Sequence, residues 1–312
     1  MEKYSSNEYI YVKNSRIILS SFEDSYFLYN EQNDRMLKVQ SNPREYLLSY
    51  KSGNSSIDKL ISSKKKWVKF PDIRLIQFSI PAKKLSKLFA LTEKLLSINL
   101  VILSIILQIF LFIPFVNNNI ESIIQLKSTP QSTLNHSFFI FISVLIVGIV
   151  HELGHYAIYQ NDFHQDHIYW GMSLRYFVMT VFFSSVPFMF ELPLSRKRKL
   201  ITAGVRMQAQ LGCIAMILGS IPLLHNYFFV ILWFSNLTIL LINILPFMKL
   251  DGFWMINSFL GVHSYTESFW NDIKNKKVPN GKTSLLTFLN YISILIVIAP
   301  LVRIVCNFFG DM

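Results

Sequence analysis

Two histidines four residues apart, His151 and His155, flank Glu152 at the end of the apolar run 138–150. On a helix this spacing puts both imidazoles on one face, within reach of a single metal ion. Glu152, beside the first histidine, then stands where it can take a proton from a metal-bound water and return it. Charged and imidazole side chains inside an apolar segment of membrane length are costly, and they mark function more often than packing. The ordinary alternative is a structural histidine pair within a helix bundle.

A zinc site that does chemistry needs a third protein ligand and one position left open for water. Downstream, the run Asn243-Ile244-Leu245-Pro246-Phe247-Met248-Lys249-Leu250-Asp251-Gly252 ends another apolar segment with a carboxylate. Taken alone, Asp251 reads as a helix-end or loop carboxylate. The pair of a membrane-embedded His-Glu-x-x-His and a later Asn-x-x-Pro-x-x-x-Leu-Asp-Gly resembles the site-2 protease family of intramembrane zinc metalloproteases. Asp251-Gly252-Phe253-Trp254 and Phe259-Leu260-Gly261-Val262 resemble its bacterial peptide zinc-metalloprotease branch. The matches cover roughly residues 140–270. The resemblance implies Zn2+ held by His151, His155 and Asp251, with Glu152 as general base. Asn243 offers an amide that can hold a substrate strand or stabilise an oxyanion. The competing role for Asn243 is an interhelical hydrogen bond.

The chain has 312 residues, 52% of them hydrophobic and only 16% charged, and its mean hydropathy is +0.36. That is too apolar for an ordinary soluble protein. The fold class expected is an all-α polytopic membrane protein, about five transmembrane helices plus one re-entrant segment, with a small N-terminal α+β cytosolic domain. No secretory signal is read at the start, because the first long apolar run begins only near Ile98. A net charge of +11 would suit nucleic acid, but the lysines and arginines gather beside apolar segments, as the positive-inside rule requires. No nucleic-acid partner is expected. Cys213 and Cys306 both fall in apolar segments and read as buried thiols. An excess of Lys, Asn, Ile and Ser suits an AT-rich bacterial genome, so the expected location is a bacterial cell membrane, multi-pass.

Three regions follow from the order of the chain. Residues 1–80 read as a cytosolic module with strands over Tyr9–Leu19 and Ser25–Tyr29. A helix over Pro43–Tyr50 follows, with Ser41 or Asn42 as cap, then a glycine turn and a short helix over Ser56–Ile61. This order resembles the PqqD-type winged-helix module that captures leader peptides; a packed cap without ligand fits equally. Residues 81–97 form a basic juxtamembrane linker, and 98–312 the membrane domain. Residues 1–97 hold 17 Lys or Arg while 117–136 hold only Lys127, which places the N-terminus in the cytoplasm.

Spans are expected over about Ile98–Val116, Ser137–Tyr159, Ile201–Leu223, Tyr227–Leu245 and Leu285–Cys306. That alternation brings Asp251 to the same face as His151 and His155. Residues 171–193 are apolar, but charged segments that read as cytoplasmic flank them on both sides, and Pro187 and Pro193 break a helix. A re-entrant, partly extended element is expected there, as the resemblance implies. His164, Asp166 and His167 read as a solvated polar loop, and Ser184-Ser185 lacks a matching base. Gly148 and Gly154 suit either substrate approach or close helix packing, and Arg206 either snorkels or faces a cavity.

The function expected is hydrolysis of a hydrophobic or membrane-inserted peptide in the lipid bilayer, as in maturation or leader removal of a ribosomally made secreted peptide. The resemblance adds a peptide-modifying enzyme and an ABC exporter as partners. Two alternatives stand beside it: regulated cleavage of a membrane-tethered regulator, and a non-catalytic export or immunity partner.

Overall fold

A computed structural model of the chain describes residues 8–12, 15–22, 25–30, 35–50, 55–62, 68–69, 72–121, 133–163, 167–175, 179–184, 186, 189, 192–221 and 227–310. The chain divides into two compact units, residues 1–86 with 159–192, and 87–158 with 193–312.

The first unit begins with β1 (Glu8–Val12), β2 (Ser15–Phe22), β3 (Ser25–Asn30) and β4 (Arg35–Val39), an antiparallel meander in sequence order. Ile10 and Val12, and Ile17 and Leu19, are spaced by two and so share one face of the sheet. They pack with Leu28 onto Leu47 of α1 (Arg44–Leu48) and onto Ile57, Leu60 and Ile61 of α2 (Ser55–Ser62). The Asn42 side chain accepts the Arg44 N–H at 3.0 Å, which fixes the start of α1. Asn30, fully buried, donates to the Leu60 carbonyl at 2.9 Å and ties α2 to the sheet. The expected run over Tyr9–Leu19 divides into two strands, and β4 was not foreseen.

A second antiparallel sheet joins β5 (Val68–Lys69), β6 (Asp72–Pro81), β7 (His167–Arg175) and β8 (Met179–Ser184) in that order. Residues 72–80, read from sequence with the N-terminal module, therefore pair with a segment far downstream, Phe78 opposite Trp170. The extended part expected within 171–193 is the hairpin of β7 and β8. Two strands within 98–312 mean that this region is not all-α. His167, expected in a polar loop, opens β7 opposite Pro81. His164 and Asp166 lie outside the described residues.

The second unit is helical: α3 (Ser86–Leu95), α4 (Ile98–Asn118), α5 (Thr133–Phe163, of which the residues to 158 belong here), α6 (Leu194–Ser220), α7 (Tyr227–Ile244), α8 (Asp251–Leu260), α9 (Tyr265–Lys274) and α10 (Gly281–Gly310). Among the described residues four helices are long and apolar enough to cross a membrane: Ile98–Asn118, Ser137–Asn161, Leu194–Ser220 and Tyr227–Ile244. The fifth expected span falls in α10, whose described apolar stretch, Gly281–Ile296, is shorter. Pro193 sits at the N-cap of α6, so this helix starts earlier than Ile201 and takes Arg196–Lys199 into its first turns. The least apolar of the four spans, α6, is the most buried: 61% of its most apolar stretch, against 17% for α4. It packs against both α4 and α7. Phe115, Val147, Met216, Val230 and Trp233 form the apolar core of this unit.

Between α7 and α8 the chain reverses through Met248 and Lys249, at φ of 61° and 54°. Neither residue is a glycine, so this left-handed backbone stores strain and needs an external hold. Asn290 of α10 provides it, its side-chain oxygen accepting the buried Met248 N–H at 2.8 Å. Replacing Asn290 by Leu removes the acceptor of that N–H, at a cost of about 1–3 kcal/mol. The expected result is a lower thermal midpoint in detergent with helical content retained below it; an unchanged midpoint would show that the turn holds itself.

Candidate metal centre

His151 and His155 stand one turn apart on α5, and Asp251 is the first residue of α8. The Asp251 Oδ2 lies 3.3 Å from His151 Nε2 and 3.3 Å from His155 Nε2, and the two Nε2 atoms are 3.1 Å apart. All three residues can offer one ligand atom to a shared ion. His151 is buried and the other two are nearly so. As the first residue of α8, Asp251 also stands at the positive end of that helix's dipole.

The outer nitrogens decide what the inner ones do. His155 Nδ1 is 2.8 Å from the Leu200 carbonyl, which can only accept, so Nδ1 carries the hydrogen. In the neutral ring Nε2 is then a bare lone pair. His151 Nδ1 stands 3.0 Å from Gln208 Oε1, which fixes the same tautomer. Asn243 Nδ2 donates to the same Gln208 oxygen at 3.2 Å and lies 3.3 Å from His151 Nδ1. The Asp251 Oδ2 is buried with no hydrogen-bond donor among the described residues. With both rings neutral, three acceptors therefore face one another.

Such a cluster is unfavourable unless a cation stands among the lone pairs. A tetrahedral zinc with ligands at about 2.0–2.1 Å sets them about 3.3 Å apart. The triangle of 3.1, 3.3 and 3.3 Å matches that edge, so these residues fit the metal.

The structure places the three expected ligands, His151, His155 and Asp251, within reach of one another. Glu152 is half-buried and close enough to His155 for its charge to bear on the ring. Asn243 is buried, and the contact the structure gives it is the interhelical one to Gln208. Gly154 meets α6 closely: a Cβ there would fall 2.6 Å from the Ala203 carbonyl oxygen.

Two residues were missed from sequence, Gly204 and Gln208. They lie four apart on the face of α6 that meets the histidines. A Cβ on Gly204 would fall 2.4 Å from His151 Cε1 and 2.5 Å from His155 Nε2. Gln208 is fully buried. The signal for it was a neutral polar side chain in the middle of a span, where such groups serve a partner.

The chain matches no protein-family model, no curated protein and no solved structure.

Two substitutions test the metal centre. Gly204→Ala places a methyl group against both imidazoles; the purified protein is expected to lose its zinc by elemental analysis while keeping its helical circular dichroism. Gln208→Leu removes the hydrogen-bond acceptor of His151, and zinc affinity in a chelator competition is expected to fall about 10–100-fold. Wild-type zinc content in Gly204→Ala, or wild-type affinity in Gln208→Leu, would contradict the assigned geometry.

Proposed function

We propose that this chain is an intramembrane zinc endopeptidase acting on a hydrophobic or membrane-inserted peptide. The observation that carries this reading is the meeting of Asp251 with His151 and His155, with Glu152 beside them. The resemblance of both sequence motifs to the site-2 protease family supports it, and four apolar helices suit a membrane enzyme.

In this reading His151, His155 and Asp251 hold the zinc. Zinc, when bound, supplies a Lewis acid that makes water nucleophilic near neutral pH. Glu152 takes the proton of the attacking water as the C–O bond forms at a peptide carbonyl. It then hands that proton to the leaving amine as the C–N bond breaks. Gln208 and Leu200 keep the two imidazoles in the tautomer that faces the metal. The small N-terminal sheet region suits capture of a leader segment. This favours maturation of a secreted peptide, with a modifying enzyme and an exporter as partners, at a bacterial cell membrane with the N-terminus inside.

The test compares membrane and secreted peptides by mass spectrometry from cells carrying wild-type protein or Glu152→Ala, with zinc measured on both purified proteins. Glu152→Ala is expected to retain zinc, to lose at least about 100-fold in cleavage, and to accumulate a longer precursor. Matching peptide profiles, with zinc bound and precursor expressed, would overturn the catalytic reading.

A further inference from the structure

Arg206 is the one charged side chain deep in α6 that the metal centre does not use. It follows Gly204 by two residues, about 200° around the helix, so it points away from the histidines. It lines an open groove of about 540 Å3 whose floor is α6, at Val205, Arg206, Ala209 and Met216. One wall is α4, from Val101 to Phe112, and the other is α7, from Trp233 to Ile244. The far end is stopped by aromatic rings, Trp233 lying against Phe112 and Phe115.

Apart from Arg206 and Gln108 the lining is apolar. Gln108 is already committed, donating to the Ala209 carbonyl at 3.1 Å. Arg206 reaches only the Leu96 carbonyl, at 3.5 Å, and among the described residues no carboxylate pairs with it. Five guanidinium donors thus meet one distant acceptor. The same end carries the start of α4, whose first N–H groups are open at Ile98, and the exposed Lys94 just before it. Glu93 is the one carboxylate beside it on α3.

The dimensions are those of one lipid chain. From Val101 to Phe112 the α4 wall is about 16 Å long at about 1.5 Å per residue, close to the half-thickness of a bilayer core, about 15 Å. The volume falls in the range of small-molecule sites, about 300–1,000 Å3.

We propose that this groove is a binding site for an anionic phospholipid, its acyl chain lying along α4 and α7 and its phosphate meeting Arg206. The occupant is a lipid because the groove is apolar, stopped at one end by aromatic rings, and carries at the other a cation that no carboxylate pairs among the described residues. A peptide backbone would bring a row of amide groups for which the lining has no partners.

The test uses the full chain in detergent and native mass spectrometry. Phosphatidylglycerol and phosphatidylcholine with the same acyl chains are offered in competition to wild type, Arg206→Gln, Arg206→Lys and Ile105→Trp, the last filling the groove. Wild type is expected to retain one phosphatidylglycerol per chain with at least about tenfold preference, as a desolvated phosphate–guanidinium contact gives. Arg206→Gln loses the preference, Arg206→Lys keeps most of it, and Ile105→Trp loses retention of both lipids. Equal retention of the two lipids by wild type would overturn the site, as would an unchanged preference in Arg206→Gln, which leaves Arg206 merely snorkelling. Preferential retention of a hydrophobic peptide over phosphatidylglycerol would also overturn it. Zinc content and proteolysis do not enter this readout.

Discussion

The convergence of two imidazole nitrogens and one carboxylate oxygen within an apolar helix bundle is the constraint around which the second unit is built. Each buried acceptor left without a donor costs about 1–3 kcal/mol, and a buried carboxylate more. The sequence nonetheless places Asp251 against His151 and His155, and two outer hydrogen bonds aim both rings so that their Nε2 lone pairs converge. A single proton shared at this point would satisfy one pair. A cation held among them would satisfy all three at once.

The need to bring α5, α6 and α7 to that point explains why α6 is the least apolar span and still the most buried. Its surface is divided by function around the helix. Gly204 and Gln208 serve the imidazoles, Ala203 lends its carbonyl face to Gly154, and the Gln208 carbonyl takes the Asn236 amide of α7 at 2.9 Å. Small residues let these backbones approach, and glycine costs about 1 kcal/mol of helix propensity relative to alanine. Packing and buried hydrogen bonds along the covered faces of α6 offset that cost. Asn119 adds one at the far end, donating to the Gly219 carbonyl at 2.8 Å.

The parts legible in the sequence were those whose signal is local. His151, Glu152 and His155 declare themselves by spacing, the long helices by apolar length, and the first strands and short helices by alternation and by the Asn42-Pro43 start. Asp251 was legible only through the run that ends in it. What stayed hidden depends on register over long distances. Leu75, Ile76 and Phe78 of β6 are exposed, so they show no clean alternation, and nothing local announces their partner in β7. Gly204 and Gln208 carry no fixed spacing to the histidines, since packing of α6 on α5 alone makes them neighbours. Residues 171–193 read as ambiguous because aromatic and β-branched side chains there satisfy both an apolar span and a hairpin.

The number of ligands also separates a reactive centre from a structural one. Structural zinc sites are closed by four protein ligands, and catalytic ones keep a position open. Among the described residues, His151, His155 and Asp251 form a set of three. Two histidines and one carboxylate also describe the facial triad of non-haem iron, in which ligands at right angles and about 2.1 Å from the ion stand about 3.0 Å apart. Two of the three edges here are 3.3 Å, the tetrahedral value, and the 3.1 Å edge lies between the two geometries. Glu152 points the same way. A carboxylate next to the first ligand has work to do where a water must lose a proton, and iron–oxygen chemistry does not call for it. Geometry and the fourth side chain thus both accord with the hydrolytic reading proposed above, which neither would suggest alone.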